Sequence, residues 1–159
     1  MRYLFLFFTV SLLFIRCSQQ DTQQEWIIID NYETGNPKSQ RSLDLNADST
    51  YNYRELYPSG KIKITGKKKN EKRVGLWKSF YEEDEQLWSI GDYTDGIRNG
   101  RSIIYHQNGN LWMSGYYKND KLDGIWVTLN NEGDTLNISE YKDGTVIFSS
   151  QKQLEAPLR

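Results

Sequence analysis

A pattern of glycines recurs every 24 or 25 residues along the chain, and this internal repeat limits the possible folds more than any other feature. A second glycine column follows six residues after the first, and a third follows nine residues after the second. The first column holds Gly35, Gly60, Glu85, Gly109 and Gly133, the second holds Gly66, Gly91 and Gly115, and the third holds Gly75, Gly100 and Gly124. Agreement of three columns indicates a repeated supersecondary unit.

Each unit carries two turn signals about ten residues apart, of which Asn108-Gly109 and Asp143-Gly144 are examples. Asn-Gly and Asp-Gly pairs adopt the positive φ angles of tight hairpin turns. Two turns in 24 residues leave strands of about six or seven residues, which is a normal strand length. The aromatic content of 14% also favours strands over helices. The sequence therefore predicts an all-β fold, an antiparallel meander of about five β-hairpin repeats of 24–25 residues in an extended twisted sheet. We place the extra residue of the third unit in the turn at Phe80–Glu85.

Side chains alternate between the two faces of a strand, so the repeat also predicts which residues share a face. We expect one face to carry Leu87 and Leu111 together with Tyr93 and the second glycine column. A glycine on that face leaves room for a neighbouring ring. Trp88 and Trp112 are predicted to lie on the opposite face.

Four tryptophans form the candidate binding face. Trp77 and Trp126 occupy one column of the second strand of the unit, with Ser102 between them, and Trp88 and Trp112 follow the first turn. If the sheet is a single layer, some of these rings stay exposed, and an exposed aromatic patch marks a binding site. If the sheet packs on itself, the same rings are core. The sequence leaves both alternatives open.

The first sixteen residues do not belong to the repeat. Arg2 is followed by a thirteen-residue apolar stretch that ends at Arg16 and Cys17. The stretch is too short for a comfortable membrane span and suits an export signal. The chain's only cysteine directly behind it resembles a bacterial lipoprotein signal, in which the cysteine is acylated. An uncleaved N-terminal anchor and a plain secretory signal are the alternatives.

These features divide the chain into four segments. We assign residues 1–16 to the export signal, 17–25 to a lipid-proximal tether, 26–148 to the repeat domain and 149–159 to a C-terminal tail. Removal of residues 1–16 takes away two arginines, so 18 Lys+Arg remain against 21 Asp+Glu. A net negative chain has no general attraction to phosphate backbones, so we expect no nucleic-acid partner.

The repeat resembles the MORN repeat variant, whose copies run tyrosine, turn glycine, lysine-leucine, glycine, tyrosine, turn, glycine, tryptophan. "YHQNGNLWMSGYYKNDKLDGIW" and "GDYTDGIRNG" carry the resemblance, which covers about residues 26 to 148. Glu85 and Ser102 stand where the pattern has glycine and tryptophan. The resemblance implies an array of hairpins used for binding, in bacterial proteins often labelled antitoxins of the YwqK type, and it supplies no catalytic residues.

The sequence offers no motif for catalysis. His106 is the single histidine and is interpreted as a solvated turn residue, since it lacks the partners of a zinc site or a general base. The consecutive carboxylates of Glu82–Glu85 lack the alternating spacing of a calcium loop. We therefore predict a protein that is not an enzyme, without a metal site or a cofactor.

The two classes of turn emerge at opposite edges of a meander, which predicts an acidic rim and a basic rim. The acidic rim would collect Glu33, Glu82, Glu83, Asp84, Glu85 and Glu132. The basic rim would collect Lys67, Lys68, Lys69, Lys72, Arg73, Arg98, Lys118, Lys121 and Lys142. Such rims orient a partner or keep sheet edges apart.

Our leading hypothesis is a non-enzymatic repeat scaffold of the cell envelope that binds an unidentified protein and reaches the membrane through a lipid on Cys17. Carbohydrate or cell-wall binding through exposed aromatic rows is one alternative. An immunity or antitoxin protein is another, and it rests on the family resemblance alone. The sequence does not indicate an oligomeric state.

Overall fold

The computed structural model describes residues 24–42 and 49–151 as one open antiparallel sheet of eleven strands. The strands lie side by side in the order in which they follow one another along the chain, which confirms the predicted all-β meander. Their bounds are β1 Trp26–Asn31, β2 Pro37–Ser42, β3 Thr50–Leu56, β4 Ile62–Lys69, β5 Lys72–Phe80, β6 Leu87–Thr94, β7 Ile97–Tyr105, β8 Leu111–Lys118, β9 Lys121–Leu129, β10 Thr135–Lys142 and β11 Thr145–Gln151.

Five strand pairs follow β1, from β2–β3 to β10–β11, and they are the five hairpin units of the repeat. The last strand continues to Gln151, beyond the boundary at residue 148 that we assigned to the repeat domain. The predicted export signal, Cys17 and most of the predicted tether lie outside the described residues, as does the end of the predicted tail.

Two-residue turns close four of the five units. Asn70 and Glu71 have φ angles of 48° and 63°, and Asp95 and Gly96 have φ angles of 52° and 92°. Two successive positive φ angles define the type I′ hairpin turn, whose twist matches that of the strands. The corresponding turns at 119–120 and 143–144 have the same signs of φ. The turn signals of the sequence are thus confirmed at this end of the strands.

Longer turns connect one unit to the next at the opposite end of the strands. In the turn before β4, the Tyr57 amide donates to the Lys61 carbonyl at 2.8 Å, whereas before β6 the Tyr81 amide donates to the Gln86 carbonyl at 2.9 Å. The second turn is one residue longer. The predicted position of the extra residue is therefore correct, and it leaves the strands on either side in phase.

A β-bulge follows each of the four long turns between units, and two of these bulges change the predicted faces of the candidate tryptophans. Ser79 of β5 pairs with Ser89, but the next residue of β5, Phe80, pairs with Leu87. Trp88 is therefore the extra residue of the bulge. Trp112 has the same place in β8, where Ile104 pairs with Met113 and Tyr105 with Leu111.

The predicted face of Leu87 and Trp88 is wrong for this reason. Phe80 follows Ser79 by one residue and lies on the other face, so Leu87, its partner, lies on that other face too. Trp88 lines the same groove as Trp77 and Tyr93. A bulge places two residues opposite one, so counting by two fails across it.

The core is a row of rings on the face that carries Gly66 and Gly115, which we call the ladder face. The ring centroid of Trp77 lies 5.9 Å from that of Tyr53 and 6.1 Å from that of Tyr93. The centroids of Trp126 and Tyr117 are 5.1 Å apart. A Cβ atom at Gly66 or Gly115 would overlap the ring of Trp77 or Trp126. The predicted role of these two glycines, to make room for a ring, is confirmed.

Burial is confined to a few residues, as expected of a single layer. Among the described residues, the buried hydrophobic side chains are Tyr51, Tyr53, Leu56, Trp77 and Trp126. Large apolar side chains remain exposed on the face opposite the ladder, which we call the back face. Each strand forms ladder hydrogen bonds only with its neighbours in the sheet, so stability arises mainly from neighbouring pairs rather than from a closed core.

Candidate functional site

A groove opens on the ladder face where the row of rings is interrupted. Trp77 pairs with Gly91, Gly91 with Ser102, and Ser102 with Gly115, so three successive positions carry small side chains or none. Ser102 stands in the column of Trp77 and Trp126, and a tryptophan there would cover Gly91. The result is a groove of about 280 Å³, the Ser102 groove, with Gly91 and Ser102 among its lining residues.

Two arginines line the Ser102 groove and are held by aromatic rings. The guanidinium carbon of Arg73 lies 4.4 Å from the ring centroid of Trp77 and 5.4 Å from that of Tyr93. Arg98 lies 4.2 Å from the centroid of Tyr117. Contacts of this kind attract a cation to a ring face and fix its position. Arg98 also approaches Asp120, with Nε 3.5 Å from Oδ1, so its charge is partly matched.

Trp88 completes the groove on the side of the long turns. Its side chain is 42% exposed, although the ring lines the groove and lies 6.4 Å from the ring of Tyr81, centroid to centroid. The bulge directs Trp88 to this position. An indole that is half-exposed and held by a neighbouring ring is a preformed contact surface.

Trp112 occupies the equivalent bulge one unit later and is 38% exposed. Its ring stacks on His106, with the centroids 5.5 Å apart and an interplanar angle of 28°. His106 is therefore half-buried rather than the solvated turn residue that we predicted. The Nε2 atom of His106 lies 3.1 Å from the Leu129 carbonyl oxygen.

His106 belongs to a column of rings that bridge successive units. The hydroxyl of Tyr32 donates to the Leu56 carbonyl at 2.8 Å, that of Tyr57 to the Phe80 carbonyl at 2.9 Å, and that of Tyr81 to the Tyr105 carbonyl at 2.9 Å. Burial, followed by nearby carboxylates, raises the pKa of Tyr57 and of Tyr81 above the usual value. These hydroxyls therefore remain donors at neutral pH and tie each long turn to the next.

The four predicted site tryptophans divide into two pairs. Trp77 is 2% exposed and Trp126 is 5% exposed. The indole N–H of Trp77 donates to the Lys67 carbonyl, and that of Trp126 donates to the Tyr116 carbonyl. They are rungs of the ladder and are not accessible to a partner. Trp88 and Trp112 are accessible. No sequence pattern identifies Arg73 and Arg98 as groove residues. Ser102, which replaces tryptophan in its column, is the sequence signal that indicates where the groove lies.

The two rims lie at opposite edges of the sheet, as a meander requires, but the basic rim is partly neutralised. Nζ of Lys72 lies 2.9 Å from a carboxylate oxygen of Asp95, and that of Lys68 lies 4.0 Å from Glu71. On the acidic rim, Lys61 donates to the backbone carbonyls of Glu82 and Glu83 at 2.8 Å each. The acidic residues of the hairpin turns, such as Glu71 and Asp95, therefore offset part of the basic rim that the sequence predicts.

The described part of the chain contains no group of three or more His, Cys, Asp or Glu side chains that could hold a metal ion. Within the same residues, none of the structure is a helix of the length and apolarity that a membrane span needs.

Comparison with protein-family models and with curated proteins finds no match to the chain. Membership of the MORN repeat variant family therefore stays a prediction from the repeat motif, and the function of the groove has to be argued from its geometry.

Proposed function

We propose that the protein is a non-enzymatic scaffold that binds another protein through the Ser102 groove and the exposed indole of Trp88. The observation that carries the proposal is the combination of an open groove, a half-exposed tryptophan and two arginines on one rigid sheet. Tryptophan, tyrosine and arginine are the residues that dominate the binding energy of protein interfaces. Here they are fixed before binding, which lowers the entropy lost on association.

The lining of the groove indicates the chemistry of the partner. Ser102 and Gly91 leave space for an inserted side chain, and the walls are aromatic. Arg73 and Arg98 present guanidinium groups, which bind carboxylates well. We therefore expect the partner to insert an apolar or aromatic side chain with an acidic residue beside it.

Photocrosslinking in the native host tests this proposal. A photoreactive residue at Lys63, which is exposed and lines a small pocket together with Trp88, should form an adduct with the partner. The same residue at Lys78 is the matched control, because Lys78 is exposed and pairs with Ile90 and Thr65 rather than with the groove column. The adduct should disappear in Trp88→Ala and in Ser102→Trp, which fills the groove, but persist in Ser102→Ala. Equal adducts from both positions, or an adduct that survives Trp88→Ala and Ser102→Trp, would contradict the proposal.

Carbohydrate binding is a second candidate, which the accessible indoles of Trp88 and Trp112 favour. The two residues occupy the same place in successive units, and a tryptophan face can stack on a sugar ring. A glycan array distinguishes the candidates. Binding that is lost in both Trp88→Ala and Trp112→Ala, without a protein adduct at Lys63, would favour the sugar.

We further propose that an acylated Cys17 holds the scaffold at the cell envelope. The support is the apolar leader and the position of the chain's only cysteine directly behind it. Radiolabelled fatty acid should be incorporated into the parent protein. Incorporation that persists in Cys17→Ala would contradict this anchor.

A further inference from the structure

The outer edge of β11 is uncovered, since no described strand pairs with it. The strand Thr145–Gln151 contains no charged residue and no proline. Val146, Ile147 and Phe148 are 52%, 57% and 53% exposed. A strand of this composition at a sheet edge is a template for pairing with another chain. Repeat arrays normally end in a unit with a polar outer face, whereas β11 has three consecutive exposed apolar residues.

β11 carries one register shift of its own, because Glu140 pairs with Phe148 and Tyr141 with Val146, which leaves Ile147 as the extra residue. The other edge of the sheet is more irregular and is charged. β1 pairs with β2 through two register shifts, between Ile28 and Asp30 and between Asp30 and Asn31. Asp30 also forms an ion pair with Lys38, with Nζ 3.2 Å from the carboxylate. Bulges and charges are the features by which natural sheets block edge pairing. Of the two edges, β11 has the single bulge and no charged residue, so it is the one that better accepts a partner strand.

We propose that β11 pairs antiparallel with β11 of a second copy of this chain, about a two-fold axis perpendicular to the sheet. The strand count supports this symmetry. Because the sheet has eleven antiparallel strands, β1 and β11 run in the same direction. Pairing of β11 with β1 of another copy would therefore be parallel, or would turn one sheet over and exchange its faces. A two-fold axis perpendicular to the sheet gives an antiparallel pair and keeps both faces continuous.

Continuity of the back face supports the same arrangement. Phe148 pairs with Glu140, which in turn pairs with Ile125, so these side chains form one row on that face. Ile125 is 59% exposed and Ile138, one step away, is 40% exposed. Glu140 interrupts this row, so the apolar surface that reaches the edge consists of Phe148 with Ile138 diagonal to it. In the two-fold pair these side chains meet the same side chains of the second copy and are partly buried.

The sequence of β11 is compatible with pairing to itself. Phe148 is the middle residue of Thr145–Gln151 and follows the bulged residue Ile147, so a two-fold axis near Phe148 aligns the longest stretch of the strand with one bulge in each copy. Like charges on directly opposed residues destabilise a strand pair, and β11 brings none. The occupant of this edge is thus a second copy of the chain.

The mass of the full chain in mild detergent, measured by sedimentation velocity over a range of concentrations, tests the proposal. We expect a dimer for the parent protein. Phe148→Lys places two lysines near the axis and should raise the dissociation constant by about tenfold or more. Ile28→Lys is the matched control on β1, where the parent side chain is 49% exposed, and it should leave the dimer intact. Circular dichroism and the thermal midpoint check that each variant is folded.

A mixing experiment identifies the contact itself. Phe148→Glu should weaken the dimer as Phe148→Lys does, and both variants are made together with Glu140→Gln, because Glu140 pairs with residue 148 within one copy. A mixture of the two proteins should regain a dimer of mixed composition, because opposite charges meet at the axis. A monomeric parent protein, a dimer unaffected by Phe148→Lys, or failure of the mixture to recover would each overturn the proposal. These outcomes do not depend on Trp88 or the Ser102 groove, so they are independent of the proposed function.

Discussion

At the scale of single residues, the fold depends on glycines that lie beneath rings. Gly66 and Gly115 face Trp77 and Trp126 so closely that no Cβ atom fits. Neither glycine has a positive φ, so the requirement is space and not backbone conformation. The equivalent Gly91 faces no tryptophan, and its nearest side-chain atom, in Tyr93, would be 3.5 Å from a Cβ.

This contrast predicts the effects of three equal substitutions. Gly66→Ala and Gly115→Ala should each lower the free energy of unfolding by about 1–3 kcal/mol, the usual cost of overpacking. Gly91→Ala should leave it nearly unchanged, because the added methyl group enters an open groove. Urea unfolding of the three variants measures the difference. If all three lost the same stability, the close contact with the rings would not be the reason for the glycines.

Tyr51 gives the fold a dependence on alkaline pH. Its hydroxyl donates to a carboxylate oxygen of Glu71 at 2.6 Å, and the side chain is buried. Burial, followed by the bond to Glu71, raises the pKa of Tyr51 in the folded protein. The unfolded chain loses this proton near the ordinary value of about 10, whereas the folded protein retains it. The contribution to stability is therefore complete below about pH 10 and is lost as pH rises above it.

Tyr51→Phe should accordingly lose less stability than the parent protein between about pH 9 and pH 11. Thermal midpoints measured across that range for both proteins provide the comparison. The variant starts from a lower stability at neutral pH, because it lacks the hydrogen bond to Glu71. Parallel losses of stability in the two proteins would show that Tyr51 does not titrate in this way.

At the scale of the hairpin, the turns were predictable and the bulges were not. Asp95-Gly96 tolerates two positive φ angles, so its local sequence specifies the turn. Trp88 carries no such local signal, because a bulge is fixed by the pairing of β6 with β5 across the long turn. Strict alternation therefore misplaced Leu87 and Trp88 while it placed Gly66 and Trp77 correctly. The groove arginines could not be inferred, since their position depends on the rings that they cover.

The missing tryptophan at position 102 leads to a prediction about the stability of the whole unit. Ser102→Trp restores the aromatic column, and Gly91 already leaves the space that Gly66 leaves for Trp77. Burial of the new ring should raise the free energy of unfolding by about 1–3 kcal/mol. Urea unfolding, with Ser102→Ala as the matched control, measures it. A less stable Ser102→Trp protein would show that the gap is not an unfilled rung.

The last unit replaces the glycine and ring of the ladder by a pair of serines. Ser139 stands six residues after Gly133, in the second glycine column, and its partner in β11 is Ser149. Ser139 is 3% exposed and donates to the hydroxyl of Ser149 at 3.0 Å. A polar contact thus takes the place of the buried ring in this unit.

At the scale of the whole molecule, the account requires one open layer. The eleven strands pair in sequence order within one sheet, and no second layer of described strands covers either face. Both faces of the sheet therefore remain accessible. The accessible indole of Trp88 on one face and the exposed side chains of Ile138 and Phe148 on the other both depend on this openness. A sheet that curled or packed on itself would bury one of them.

The distance between spin labels on β2 and β10 tests the open layer most directly. Labels at Lys38 and Glu140, both exposed, are separated by eight strand spacings, or about 38 Å. They can be introduced as cysteines in a Cys17→Ser protein diluted with unlabelled chain, so that only distances within one copy are measured by pulsed electron paramagnetic resonance. We predict a single distribution centred near about 40 Å. A distribution centred below about 25 Å, as two packed layers would give, would contradict the open sheet.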